Sequence, residues 1–258
     1  MNIRWQLLLA AIGFALVYAI LSFQEQTFGV CFETVPAAGG TFREGIVGAP
    51  RALNPLLADG FPVDQALNSL IFDGLTRFDE NGRLVGALAE RWQVSEDQQT
   101  ITFTLAAGRT WHDGQPVTAN DVAFSNGLLQ DEAFPIPSVR QLWQAVTITV
   151  VDAKTITFQL AEPYSPFLEA TTRGILPAHL LAGETAVSLP NSPFNQPPVG
   201  TGPFMVPSGQ DWRHTQQLRL LPSPNAFPQG VRFDDLALRF FPDSSSLVSA
   251  FAAEAIEA

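Results

Sequence analysis

Residues Thr41 to Val47 (TFREGIV) alternate apolar and polar side chains, the period-two pattern of a strand. Gly48-Ala49-Pro50 and Asn54-Pro55 then break the chain into a loop. From Asp64 to Leu75 the period lengthens: Leu67, Leu70 and Ile71 share one helical face, with Asp64 placed to cap the start and Gly74 to end the helix. Two hairpins follow the same design. Arg91 to Val94 and Thr100 to Leu105 flank a polar turn at Ser95 to Gln99, and Val146 to Val150 and Thr155 to Leu160 flank a turn around Asp152-Ala153-Lys154. Both return strands (TITFTL, TITFQL) put Ile, Phe and Leu on one face and Thr or Gln on the other.

Between the hairpins, Asp113-Gly114 marks a turn, and Thr118 with Asp121 forms a helix-start pair. A helix of about twelve residues is expected there, burying Phe124 and Leu128. A proline-rich stretch fills Pro190 to Pro207, and strands are expected near Gln217 to Leu221 and Asp235 to Phe241. Ser246 to Ala258 reads as a final helix carrying Leu247, Val248, Phe251 and Ile256, with no terminator after it. That bare ending leads to the expectation of a polypeptide that stops before its fold is complete.

The N-terminus has a different pattern. Leu7 to Phe23 is uncharged and apolar all round, which disfavours a buried core helix. At ~1.5 Å per residue it reaches about 26 Å, slightly short of a ~30 Å hydrocarbon core, and Trp5 and Gln6 extend it. Arg4 before the run favours a cytoplasmic N-terminus, with the rest of the chain outside the membrane. Phe28-Gly29-Val30 before Cys31 is a poor lipidation site, and no small-x-small cleavage site follows Phe23, so residues 1–23 are read as a retained anchor ahead of a signal segment. Residues 24–40, ending Pro36-Ala37-Ala38-Gly39-Gly40, are read as a flexible linker, and residues 41–258 as the folded domain.

Composition narrows the chemistry. The formal net charge is -11, from 14 Lys+Arg against 25 Asp+Glu, so no nucleic-acid partner is expected. One cysteine and three widely spaced histidines offer no metal-ligand spacing, so no metal or other cofactor is expected. His112 has no nucleophile or carboxylate cluster at a mechanistic spacing and is read as stabilising its turn. Gly200-Thr201-Gly202 lacks the third glycine of a phosphate loop and is read as a turn. No catalytic constellation emerges, and an enzyme is not expected. Phe61, Trp111, Trp143 and Tyr164 are candidate stacking residues, although aromatics at such positions more often serve the core.

An ordered set of segments resembles the bacterial extracellular solute-binding proteins of family 5, the oligopeptide- and dipeptide-binding components of ABC importers. Asn54-Pro55-Leu56 resembles the family's early loop. Ile71 to Arg77 (IFDGLTR) is similar to "IFEGLTR", Leu88 to Val94 (LAERWQV) to "LAESWEV", and Thr100 through Ser125 to "TFxL…HDGxPxTAxDVxFS". Glu162 to Phe167 is similar to "EPYxPF", Leu176 to Leu181 to "LPKHLL", and Val199 to Phe204 to "VGTGPY". Ala106 departs from the usual basic residue, Asp243 to Ser246 replaces a more Pro-rich stretch, and Pro224-Asn225-Ala226-Phe227 is a degraded "NPDYW".

The resemblance implies an α/β fold of the type II periplasmic-binding-protein kind. The first lobe and its extra subdomain are encoded here, while family members continue through a second lobe. It implies a membrane-anchored extracytoplasmic subunit that binds peptides or similar small solutes and presents them to ABC permease subunits. The alternative is a truncated, transport-incompetent fragment of such a protein. By resemblance, the ligand-facing candidates are Asn54 and Pro55 in the early loop and Thr172 and Arg173 in the segment Thr172-Arg173-Gly174. Asn54 either hydrogen-bonds a peptide backbone or closes an Asx turn in its own loop. Arg173 either pairs with a ligand carboxylate or is a solvated surface charge.

Overall fold

The computed structural model describes residue 13 and residues 15–18, 39–224 and 232–258. It divides into residues 1–37 and residues 38–258. In the first unit the described residues are helical. No helix among the described residues is long and apolar enough to cross a membrane. The expected anchor over residues 1–23 lies, but for those five residues, outside the described ones, as do Cys31 and the linker up to residue 38.

The second unit opens with β1 (Thr41–Val47), helix α1 (Pro62–Ile71), the short hairpin β2 (Thr76–Phe78) and β3 (Leu84–Gly86), and β4 (Ala89–Val94) with β5 (Thr100–Leu105). Helices α2 (Ala119–Gln130) and α3 (Pro137–Trp143) lead to β6 (Thr147–Val150), β7 (Thr155–Gln159) and the single turn α4 (Phe167–Ala170). β8 (Phe204–Met205), α5 (Trp212–Thr215), β9 (Gln217–Pro222), β10 (Asp235–Phe241) and α6 (Ser244–Ala252) complete it.

The two hairpins join into one antiparallel sheet ordered β4-β5-β7-β6. The repeated TITF segments are its central pair: Ile101 faces Phe158, Thr102 faces Thr157 and Phe103 faces Ile156. Equal patterns in equal register put like faces together, so Ile101, Phe103, Leu105, Ile156, Phe158 and Leu160 are all buried. Beneath this face Phe158 meets Phe103, Trp143 and Phe167 with ring centroids 5.7–5.8 Å apart. Trp111 and Trp143 are core residues, whereas Phe61 and Tyr164 are exposed.

The second four-stranded sheet is mixed, ordered β1-β10-β9-β8, with β1 parallel to β10 and the remaining pairs antiparallel. Buried Asp235 ties three of its strands, accepting from Thr41 Oγ1 at 3.1 Å and Arg219 Nη2 at 2.8 Å. The free edge of β1 is met by the last residues: Gly45 N donates to Ala258 O and Glu257 N to Arg43 O.

Three local expectations change. Helix α1 begins at Pro62, whose missing N–H is no loss in a first turn, and Asp64 lies inside it. The Asp64 carboxylate accepts the N–H of Arg51 from the preceding loop at 2.8 Å, and burial pushes its pKa up. The same helix ends at Ile71 rather than Gly74, because Gly202 N donates to Ile71 O and Thr201 Oγ1 accepts from Asp73 N. The last helix stops at Ala252, leaving Val248 and Phe251 exposed; Glu254 then turns the chain at positive φ, and Ile256 is buried.

Helix α2 is the twelve-residue helix expected, with Leu128 buried and Phe124 partly so. Its start is held from the carboxylate side. Asp121 Oδ2 accepts from Thr118 N and Thr118 Oγ1, and Asp121 Oδ1 accepts from Ala178 N at 2.9 Å.

Candidate functional site

Gly200 and Gly202 pack against the end of α1. A Cβ on Gly200 would lie 1.8 Å from Ile71 O, so no side chain fits there. This turn is locked to the HDG turn by His112. Its Nδ1 accepts from Gly200 N at 3.1 Å and its Nε2 contacts Gly202 O at 2.9 Å. An accepting Nδ1 requires the neutral ring with its proton on Nε2, and burial lowers the pKa accordingly. His112 therefore has the structural role read from its sequence context, and Gly200-Thr201-Gly202 is a packing turn.

With α1 ended early, Phe72-Asp73-Gly74 runs on beside Thr172, whose carbonyl oxygen would be 2.5 Å from a Cβ on Gly74. That close approach is the physical demand on Gly74. It brings together the early loop, the end of α1, β2 and the segment after α4. They enclose an open groove of about 540 Å³, with Pro55, Asp59, Phe72, Asp73, Arg77, Glu169, Thr172 and Arg173 in its wall.

Three of the four sequence candidates, Pro55, Thr172 and Arg173, line this groove. Asn54 does not. It is fully buried, its Oδ1 accepts from Leu56 N at 3.0 Å and its Nδ2 donates to Asn195 Oδ1 at 2.9 Å. These bonds match the Asx-turn reading of Asn54, whose side chain is not among those lining the groove. Arg173 is neither a solvated charge nor a free one. Both of its terminal nitrogens donate to Asp59, at 2.8 Å each, and Nη1 also reaches Pro55 O. A bidentate pair fixes the guanidinium plane and hence the shape of the wall.

Sequence reasoning missed Asp59, Asp73, Arg77 and Glu169. Asp73 and Arg77 stand inside the IFDGLTR segment but carry no spacing signal of their own. Burial pushes the Asp73 carboxyl up, opposed by the attraction of Arg109, whose Nη2 lies 3.2 Å from Oδ2. Among the described residues no group of three or more His, Cys, Asp or Glu side chains is arranged to hold a metal ion.

The chain's class is thus an α/β domain with an open, charge-lined groove. Residues 83–257 match the family of bacterial extracellular solute-binding proteins, family 5. The chain belongs to that family. A Brucella ovis protein named as a candidate ABC transporter peptide-binding protein is 30% identical over 244 residues, covering 90% of this chain and 45% of its own length. Protein XP55 of Streptomyces lividans is 35% identical over 184 residues, 70% of this chain and 32% of its own. Among solved structures, Campylobacter jejuni NikZ in complex with Ni(L-His) superposes with TM-score 0.75 at 27% identity, covering 84% of this chain and 42% of NikZ. The oligopeptide-binding protein AppA of Bacillus subtilis, in complex with a nonapeptide, shares the fold at TM-score 0.76 and 22% identity, over 86% of this chain and 44% of AppA. The chain thus spans less than half the length of these relatives.

Proposed function

We propose that this chain is the solute-capturing subunit of a peptide-type ABC importer, taking peptides or similar small solutes into the groove and presenting them to permease subunits. The observation that carries this reading is the convergence of Pro55, Thr172 and Arg173 on one open groove in a chain of family 5. Capture of this kind needs shape and hydrogen bonds, and no bond is made or broken. Such a groove is lined by apolar Pro55 and Phe72 and by charged side chains, which suits a peptide's mixed surface. Residues 1–23 hold the subunit to the membrane with the domain on the extracytoplasmic side, a reading supported by the uncharged run Leu7 to Phe23 behind Arg4.

Two experiments test this. Calorimetric titration of the detergent-purified full chain with di- and tripeptides should give saturable heats; flat traces would overturn peptide capture. In spheroplasts expressing the full chain, it should stay with the membrane pellet after an alkaline wash, and external protease should digest its domain. A chain released by the wash or protected from protease contradicts the anchored topology.

A further inference from the structure

This inference rests on the reading of the groove as a peptide site. A second cavity, of about 470 Å³, lies beside the groove, walled in part by Asp73, Arg77, Arg109 and Thr201. Asp73, Arg77 and Pro203 line both cavities, so the two meet there. The charges at this seam are unequally committed. Arg109 Nη2 donates to Asp73 Oδ2 and to Ala87 O, each at 3.2 Å. Asp59 is engaged with Arg173 on the groove wall. Arg77 is exposed, and its guanidinium, unlike its backbone in the β2–β3 ladder, makes no hydrogen bond or ion pair among the described residues; it acts on Asp73 only through longer-range attraction. Across the two cavities Arg77, Arg109 and Arg173 stand with Asp59, Asp73 and Glu169, and the guanidinium shared by both cavities is the one that no carboxylate holds.

We propose that Arg77 anchors a carboxylate of the bound peptide at this seam, making it a residue that selects acidic over neutral peptides. Its long arm can lend the fork to a carboxylate in either geometry, from a side chain or from a peptide C-terminus. The rest of the molecule argues against a nonspecific origin for such a preference. A chain of net charge -11 repels anions at long range, so a gain on adding negative charge to a peptide has to come from a local cation.

The test is calorimetry on the full chain with three probes: Ala-Gln-Ala-amide, Ala-Glu-Ala-amide and Ala-Gln-Ala with a free C-terminus. The second reports a side-chain carboxylate and the third a terminal one. At least one of them should bind about fivefold tighter than the neutral probe, the scale of an exposed ion pair. The preference should shrink as ionic strength rises, fall within about twofold in Arg77→Gln, and survive in Arg77→Lys. Equal affinities for all three probes, or a preference that persists in Arg77→Gln, would overturn this role while leaving peptide capture standing. No binding of any probe would overturn the peptide reading and this subsite with it.

Discussion

His112 and Gly200 are single residues on which the groove depends from a distance. Neutral His112 accepts the Gly200 N–H, an arrangement that protonation destroys. Because burial lowers its pKa in the folded chain, the unfolded state binds the proton first as pH falls. This part of the stability is therefore present above the ordinary histidine value of about 6.5 and declines as pH drops below it. Denaturant midpoints measured from pH 7.5 down to 5.5 should show the decline in wild type and a weaker one in His112→Gln; parallel curves would contradict the assignment. Gly200→Ala places a methyl group 1.8 Å from a backbone carbonyl oxygen. It should cost about 3 kcal/mol or more in chemical denaturation, since rigid backbone on both sides cannot relax as a side chain would. A loss below about 1 kcal/mol would mean the turn is not pressed onto α1.

Helix α2 shows how one carboxylate can serve an element. Asp121 takes two bonds from its own cap residue and one from Ala178, far along the chain. Asp121→Ala strands all three donors and should destabilise by about 2–3 kcal/mol, more than an ordinary cap loss of ~1. Asp121→Asn should recover part of this, because one oxygen remains to accept. A chain indifferent to both substitutions would show that α2 is held by packing alone. The start pair was legible because both partners lie within one helical turn of each other. The termination of α1 was not legible, since Ile71 O is met by Gly202 N and Asp73 N by Thr201 Oγ1, partners which no local periodicity announces.

For residues 38–258, which form one unit, the two four-stranded sheets and helices α1 to α5 share a continuous buried core from Leu53 to Phe240. Heating the full chain should accordingly give one cooperative transition from this unit, and two resolved transitions would show that the sheets unfold separately. Binding would add to the same transition: a peptide that occupies the groove raises the midpoint in proportion to the logarithm of its concentration. The groove connects segments on both sides of the β4-β7 sheet in the sequence, and so it reports on the integrity of the whole unit.

What the amino-acid order determined by itself was local. Strand and helix periods, the α2 start pair and the TITF strands all depend on residues a few positions apart, where backbone geometry fixes which side chains share a face. The tertiary structure alone decided which charges face each other. Asp59 finds Arg173 and Asp73 finds Arg109 across long stretches of chain. It also decided that Asn54 turns inward to Asn195 while Arg77 is left uncommitted. Such pairings follow from chain folding that brings remote loops within hydrogen-bond distance, and spacing along the sequence carries no record of it.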